Sequence, residues 1–201
     1  MTAPVTHLLY LHGFRSSPRS AKAERTAAWV HARHPQLVWW CPQLPPSPRE
    51  AMALIEHGLR DWPAATTGII GSSLGGYYAT ALAQRLGVRA VLLNPAVFPQ
   101  RDLARHIGPT TSWHSDDAID FRAEYIDELG DIWPGTLTEP QRYFAVIARA
   151  DEVLSWEEMS ARYRDCPQRL IDGSDHALSD YDAHLGAVMT FLGLDDVSAR
   201  T

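Results

Sequence analysis

The chain has 201 residues, of which 45% are hydrophobic, and its formal net charge at pH 7 is −6. This length is sufficient for one well-buried core and short for two, so we expect a single domain over residues 1–201. Nucleic acid and anionic membrane surfaces are not expected as partners, because both require a positively charged footprint that this acidic chain lacks.

The composition also predicts the cellular compartment. Two cysteines, Cys41 and Cys166, are too few for a disulfide scaffold, and the first six residues lack the cationic and apolar segments of a signal peptide. No apolar run approaches the roughly 18 residues of a membrane span. We therefore expect a cytoplasmic protein without a membrane span.

Short apolar runs alternate with segments of helical periodicity. In chain order they predict strand 7–11, helix 20–34, strand 37–40, helix 48–59, strand 68–71, helix 74–86, strand 88–93, strand 143–148, helix 155–163, strand 169–171 and helix 181–192. This alternation is typical of the α/β class, with a mostly parallel six-stranded sheet flanked by helices. In such sheets the functional site lies at the carboxyl ends of the strands.

Two segments interrupt the alternation. Residues 41–48 form a proline-rich loop, which we interpret as a rigid connector. A longer insertion follows the fourth strand at about residues 98–140, and its length and aromatic content predict a lid-like segment that forms an apolar pocket wall. The side chains that suggested this are Trp113, His114, Asp116, Asp117, Tyr125 and Trp133.

The stretch Gly71-Ser72-Ser73-Leu74-Gly75 lies between a predicted strand and a predicted helix. It lacks the lysine of a phosphate-binding loop and the glycine spacing of a dinucleotide fingerprint. It matches Gly-x-Ser-x-Gly, the nucleophile elbow, in which glycines two residues before and after the serine permit a tight turn. Only Ser73 has both glycines at that spacing, so Ser73 is the candidate nucleophile and Ser72 a small packed residue.

A serine nucleophile needs a histidine base and a carboxylate that orients it, in the chain order Ser, Asp or Glu, His. His176 lies in a turn-rich loop directly after the last predicted strand, whereas His184 falls within a helix. Asp151 follows the strand 143–148 and is the preferred acid. The alternatives that stay open are Glu152, then Asp172 and Asp175.

An ester hydrolase also needs two backbone N–H groups that hold the oxyanion. The predicted donors are Leu74, which follows the nucleophile, and Phe14, in the loop after the first strand. In the same loop, His12 is interpreted as a structural histidine, and Arg15 is given no role.

Over its whole length the chain resembles the YqiA/YcfP-type esterases, small members of the α/β-hydrolase superfamily. The resemblance rests on six motifs in order: LYLHGFRSSPRSAKA (9–23), CPQLP (41–45), GSSLGGYYAT (71–80), VRAVLLNPAV (88–97), ADEVL (150–154) and GSDH (173–176). It implies a compact α/β-hydrolase fold without the first two strands of larger relatives, and a triad of Ser73, Asp151 and His176. Ala150 and Ser174 stand where the family usually has glycine, and residues 107–140 match only loosely.

Residues and resemblance together predict a serine esterase for carboxylic esters of small or medium acyl groups, acting through an acyl-enzyme with no cofactor and no metal. The expected partner is a small-molecule ester or thioester. An acyl-CoA thioesterase is the alternative enzyme, with possible help from Arg15, Arg19, Arg101 and Arg105. A hydrolase-fold binding protein without catalysis is the alternative of another class.

Overall fold

The computed structural model describes residues 4–112 and 118–194. In chain order its elements are β1 (His7–Leu11), α1 (Ala21–Arg33), β2 (Val38–Trp40), α2 (Pro48–Gly58), β3 (Thr67–Ser72), α3 (Leu74–Leu86), β4 (Arg89–Leu93), α4 (Pro99–Leu103), β5 (Gly108–Thr111), β6 (Ala118–Phe121), α5 (Glu124–Asp131), β7 (Tyr143–Ala148), α6 (Trp156–Arg162), β8 (Gln168–Ile171) and α7 (Asp182–Phe191). The strands and helices predicted outside the insertion are confirmed, with ends within one residue of the expected positions.

Six of the strands form one sheet in the order β2-β1-β3-β4-β7-β8, and every neighbouring pair is parallel. The prediction of a mostly parallel six-stranded sheet is therefore confirmed. Two of its interior strands, β3 and β7, are buried along their whole length. Such burial on both faces explains why their sequences are continuous apolar runs rather than alternating ones.

Helices cover both faces of the sheet. On β1, Leu9 and Leu11 pack into a cluster with residues of α2, α3 and α6. The intervening Leu8 and Tyr10 pack into a second cluster with residues of α1 and α7. The alternation follows from the opposite orientation of successive side chains on a strand. Among the helices of the described ranges, none is long and apolar enough to cross a membrane.

Helix α3 lies closest to the centre of the fold. Its first ten residues, from Leu74 to Ala83, are all buried, and glycine and alanine are frequent among them. These small residues allow the helix axis to approach the sheet, which fixes the position of the turn that joins β3 to α3. The helix ends at Gly87, whose φ of 69° is the left-handed conformation that glycine adopts without steric cost.

The insertion after β4 contains α4, the antiparallel pair β5–β6, and α5. The expected insertion is therefore present, but the sequence did not predict this hairpin. Trp113, His114, Asp116 and Asp117, four of the side chains that suggested a lid, lie outside the described residues.

A buried carboxylate joins the insertion to the body of the protein. Glu128 of α5 is 7% exposed, and its Oε2 accepts hydrogen bonds from the Ser47 hydroxyl (2.7 Å) and the Arg49 amide (3.1 Å). Ser47 is the N-cap of α2, where it accepts from the Glu50 amide. Glu128 thus accepts a hydrogen bond from one of the first amides of α2, which have no acceptor within the helix. Its negative charge also stabilises this end of the helix through the helix dipole.

We predict that Glu128→Ala lowers the free energy of unfolding by about 2 kcal/mol, because the Ser47 hydroxyl and the Arg49 amide lose their acceptor. Urea denaturation followed by circular dichroism measures the change. Glu124→Ala, in the exposed first turn of the same helix, is the matched control and should change it by less than about 0.5 kcal/mol. Equal effects of the two substitutions would contradict the anchoring role.

Candidate active site

Three side chains predicted from the sequence meet at the carboxyl edge of the sheet. Ser73 follows β3, Asp151 follows β7 and His176 follows β8. The serine Oγ lies 3.1 Å from His176 Nε2, and His176 Nδ1 lies 2.7 Å from Asp151 Oδ2. Strands adjacent or nearly adjacent in the sheet thus bring together residues up to 103 positions apart in the chain.

The backbone of Ser73 is strained. Its φ of 55° and ψ of −119° lie outside the regions that residues with a side chain prefer. Hydrogen bonds hold this conformation: the Ser73 amide donates to Leu93 O (3.0 Å), and the Ser73 carbonyl accepts from the amides of Gly76 (2.9 Å) and Ala96 (3.0 Å). The surrounding fold therefore fixes the turn that presents the hydroxyl.

Close backbone approach explains the glycines on either side of Ser73. A Cβ on Gly71 would lie 2.3 Å from the Gly75 carbonyl oxygen, and a Cβ on Gly75 would lie 2.1 Å from the carbonyl oxygen of Leu11 in β1. No side chain fits at either position without movement of the backbone. Ser72 ends β3 and is buried, in agreement with its interpretation as a packed residue.

The hydrogen-bond pattern defines the tautomer of His176. An ionised carboxylate can only accept, so the imidazole Nδ1 carries the proton that is donated to Asp151. Nε2 is then an acceptor for the Ser73 hydroxyl. This is the arrangement in which an imidazole can remove the proton of a serine.

Burial and hydrogen bonds hold the Asp151 carboxylate in one orientation beside the imidazole. Its side chain is fully buried, and its second oxygen, Oδ1, accepts hydrogen bonds from the amides of Val153 and Leu154, both at 2.8 Å. Because both oxygens are engaged, the carboxylate cannot rotate away from His176 without losing several bonds.

The other acids considered from the sequence have different partners. Glu152 accepts from the backbone amide of His176 (3.0 Å) rather than from its ring. Asp172 pairs with Arg149 at 3.0 Å on the surface, and Asp175 accepts from the amide and hydroxyl of Ser179. Among the carboxylates of the described residues, Asp151 is therefore the one that contacts the His176 ring.

Sequence reasoning missed Asn94, which is fully buried just after β4. Its side-chain amide donates to the carbonyls of Asp175 (3.0 Å) and His176 (3.1 Å), and its Oδ1 accepts from the amide of Ala148 (2.8 Å). Asn94 thus ties the histidine loop to the end of β7. Its φ of 42° is one that asparagine tolerates better than most residues.

Leu74 and Phe14 carry the two amides predicted for the oxyanion. Leu74 is the first residue of α3, and Phe14 lies in a turn closed by a hydrogen bond from the Ser16 amide to Gly13 O. Within residues 4–112 and 118–194, no group accepts a hydrogen bond from either amide. A Cβ on Gly13 would lie 3.2 Å from Ser73 Cβ, so this loop runs directly beside the nucleophile.

The turn that contains Phe14 also contacts the insertion. The Phe14 ring lies 4.9 Å from the ring of Phe121 in β6 and 5.5 Å from that of His106. Arg15 donates from Nε to Thr111 O of β5 at 2.5 Å. The hairpin β5–β6 is therefore attached to the loop that carries one of the two amides.

The remaining histidines near the site have structural contacts. His12 is buried, accepts from the Leu44 amide at Nε2 (3.1 Å) and is 3.0 Å from Gly13 O at Nδ1. His184 of α7 contacts Asp180, which precedes that helix, at 2.9 Å. Among the described residues, no group of three His, Cys, Asp or Glu side chains could hold a metal ion; the expectation that neither metal nor cofactor is needed stays a prediction.

Two cavities meet at residues 12–14 of the loop after β1. One, of about 330 Å³, is lined by Ser73 and His176, and the other, of about 800 Å³, by Leu74, Tyr78 and parts of the proline-rich loop and the hairpin. Burial raises the pKa of Tyr78 far above its usual range, so this wall is uncharged. Both volumes suit small-molecule ligands.

Among the described residues of the insertion, no aromatic side chain lines either cavity, although an apolar pocket wall was expected from its aromatic content. The hairpin contributes Ala118 and Ile119 to the larger cavity. Tyr125 packs on Phe121, and Trp133 lies against Tyr77 instead, so neither lines the two cavities.

A sequence model of one protein family, described as uncharacterised protein family UPF0227, matches residues 7–193. The resemblance identified from the motifs is thereby confirmed. Similar solved structures include a protein from Agrobacterium vitis S4 (TM-score 0.74, 17% identity, 92% of this chain and 87% of that one). A metagenome-derived lipolytic enzyme of the LipS and LipT pair has a TM-score of 0.68 and 17% identity over 96% and 95% of the two chains.

A third similar structure is the carboxylesterase CesB from Bacillus subtilis, with a TM-score of 0.61 and 14% identity over 94% of this chain and 84% of that one. At such identities the likeness concerns the fold. The α/β-hydrolase fold implied by the motifs is therefore confirmed.

We predict that Gly75→Ala lowers the free energy of unfolding by about 3 kcal/mol or more, because its methyl group would meet the Leu11 carbonyl at 2.1 Å. Gly186→Ala is the matched control: Gly186 is exposed inside α7 with nothing near a new Cβ, so stability should rise by about 0.5 to 1 kcal/mol. Thermal and urea unfolding of both variants measure the changes. A Gly75 variant as stable as the parent would show that the elbow does not need this glycine.

Proposed function

The chain belongs to the uncharacterised protein family UPF0227, and we propose that it is a serine esterase that hydrolyses carboxylic esters of small or medium acyl groups. One observation carries the proposal: the Ser73 hydroxyl, the His176 ring and the buried Asp151 carboxylate form a continuous hydrogen-bonded relay. The names of structural neighbours, a lipolytic enzyme and a carboxylesterase, support the same chemistry.

In the first half of the proposed reaction, Ser73 Oγ attacks the ester carbonyl carbon while its proton passes to His176 Nε2. Asp151 stabilises the imidazolium that forms. The carbonyl oxygen becomes an oxyanion, which accepts hydrogen bonds from the amides of Phe14 and Leu74. These amides have no acceptor within the described residues, so they can serve the substrate.

The tetrahedral intermediate then collapses. His176 returns the proton to the departing alcohol oxygen, the carbon–oxygen bond breaks, and the acyl group remains on Ser73. A water molecule attacks this acyl-enzyme with His176 again as the base. The carboxylic acid leaves, and the Ser73 hydroxyl is restored.

Two features support the assigned roles beyond the relay itself. The strained Ser73 backbone is held by bonds with β4, with α3 and with the loop after β4, which favours a preorganised nucleophile over a mobile surface serine. Asn94 acts as a positioning residue, since it contacts the backbone of the histidine loop and no reacting atom.

We predict that a neutral fluorophosphonate labels the wild-type protein at Ser73. Ser73→Ala should abolish labelling and lower kcat for a short aryl ester by at least about 10⁴-fold, because the nucleophile is gone. Ser72→Ala is the control and should still be labelled. Mass spectrometry of the intact protein and of its peptides gives the result.

Two outcomes would contradict this assignment. Loss of labelling in the Ser72 variant alone would make Ser72 the nucleophile. A wild-type protein that neither reacts with the probe nor turns over any ester in a broad panel would instead favour the non-catalytic binding protein.

An acyl-CoA thioesterase is the second candidate, since Arg15 and Arg19 line the larger cavity. The other two arginines considered for CoA binding, Arg101 and Arg105, do not line the larger cavity. Arg101 is paired with Glu158 and Asp102, both within 2.8 Å, and Arg105 contacts His106.

We predict that butyryl-CoA is hydrolysed with a kcat/KM no more than about twofold above that of S-butyryl-N-acetylcysteamine. The two substrates share the same thioester, so their difference measures recognition of the nucleotide alone. A CoA thioester favoured by about a hundredfold or more, through a lower KM, would replace the esterase proposal with a thioesterase. Release of free thiol monitors both reactions.

A further inference from the structure

Lys22 is the only lysine among the 18 lysine and arginine residues of the sequence. It lies in the first turn of α1, and it lines the 330 Å³ cavity together with Ser73 and His176. The proposed relay does not use it. A chain that otherwise uses arginine for its cations thus has its single ammonium group beside the nucleophile.

The Lys22 ammonium group has more N–H donors than it uses within the protein. Its Nζ donates to the carbonyl oxygen of Ala177 at 2.6 Å. Within the described ranges Nζ makes no other hydrogen bond and no ion pair. An ammonium carries three N–H donors, so further donors are available to a group in the cavity.

Two carboxylates lie close enough to act on Lys22 through space, Asp175 and Asp151. Neither is bonded to it. Asp151 is engaged by His176 and two amides, and Asp175 by the hydroxyl and amide of Ser179, which lowers its pKa and keeps it ionised. Burial lowers the pKa of Lys22 to about 8, against the opposing effect of both carboxylates, so the group is mostly a cation at neutral pH.

The rest of the cavity wall does not neutralise this charge. Apart from Lys22 and two histidines, the lining residues carry hydroxyl, apolar or no side chains: Gly13, Phe14, Ser16, Ser20, Ala21, Ser72, Ser73 and Ala177. None of them is acidic. The lining of the cavity in which the ester must react therefore carries an ammonium group and no acidic side chain, in a protein whose net charge is −6.

We propose that Lys22 forms an anion subsite in the catalytic cavity and that the substrate is a small ester with a carboxylate in its acyl or alcohol part. This inference rests on the proposed esterase function. A carboxylate suits the site better than a phosphate dianion, because one compact monovalent cation faces the cavity and no arginine lines it. Its volume of about 330 Å³ accommodates a small ester.

A different role for Lys22 is to hold the histidine loop through Ala177 O, next to His176. The two roles differ in what they predict for substrates of different charge. A loop clamp affects every ester alike, whereas an anion subsite affects only those with a negative group. Matched substrates therefore separate them.

The test compares two pairs of esters of equal shape. For the alcohol part these are 3-acetoxybenzoate and 3-acetoxybenzamide, and for the acyl part the mono-4-nitrophenyl ester of adipic acid and its terminal amide. We expect the wild-type kcat/KM to favour the carboxylate of at least one pair. In Lys22→Met that carboxylate-to-amide ratio should fall about tenfold, the loss expected for one charge-assisted hydrogen bond.

Arg25→Met is the matched control, because Arg25 lies on the same helix and pairs with Asp182 at the surface. The carboxylate-to-amide ratio of kcat/KM in Arg25→Met should equal that of the wild type. If Lys22→Met lowers kcat/KM equally for carboxylate and amide, Lys22 is a loop clamp and the anion subsite is wrong. If wild-type and Lys22→Met ratios are the same, the inference is likewise wrong.

The pH dependence gives an independent readout. Below pH 7 the ammonium is protonated, and it loses its charge as the pH rises through about 8. The wild-type ratio should therefore fall across this range, with Asp175, Asp151, His176 and His12 as the neighbouring titratable groups. In Lys22→Met the ratio should not follow this fall. A wild-type ratio that stays constant to pH 10 would overturn the proposal.

Binding without turnover separates failure of this inference from failure of the proposed function. In Ser73→Ala protein grown with ¹³C-lysine, the single Cε resonance should shift on saturation with 3-hydroxybenzoate and remain unchanged with 3-hydroxybenzamide. A shift in a protein whose wild type hydrolyses no ester would support the anion subsite and contradict the esterase. Ester turnover with no shift and no carboxylate preference would support the esterase and contradict the subsite.

Discussion

The close approach of three backbone segments at the start of α3 is the constraint on which the rest of the site depends. Gly75 brings the first turn of the helix against the end of β1, and Gly71 lets the helix return over β3. Between them Ser73 adopts a conformation that a side chain normally avoids. The sheet and the hydrogen bonds around the turn stabilise this strained conformation. The position of the Ser73 hydroxyl therefore follows from main-chain packing rather than from contacts of the serine side chain.

A second level of organisation lies in the loops at the same sheet edge. Asn94 bonds the backbone of the histidine loop, while Asp151 is fixed by the two amides that follow it. The turn of Phe14 is attached to the hairpin of the insertion through an aromatic contact and through Arg15. The histidine loop and the turn of Phe14 are thus each supported by an element other than the one that carries them, which limits their independent movement.

Much of this arrangement follows from local sequence, because strands such as β3 and helices such as α3 have their own apolar pattern and the elbow has its own glycine spacing. The hairpin β5–β6 was not predicted, since its strands are four residues long and only partly buried, which leaves no periodic signal. Asn94 was missed for another reason: its partners lie 81 and 82 residues away, and a single asparagine after a strand has many local explanations.

The single lysine has a practical consequence for work on this protein. Amine-directed reagents used for surface immobilisation, cross-linking or dye attachment normally distribute over many exposed lysines. Here their only side-chain target is half-buried in the wall of the cavity that contains the nucleophile. Attachment through lysine would fill that cavity, so supports and probes should be coupled through introduced cysteines or a terminal tag.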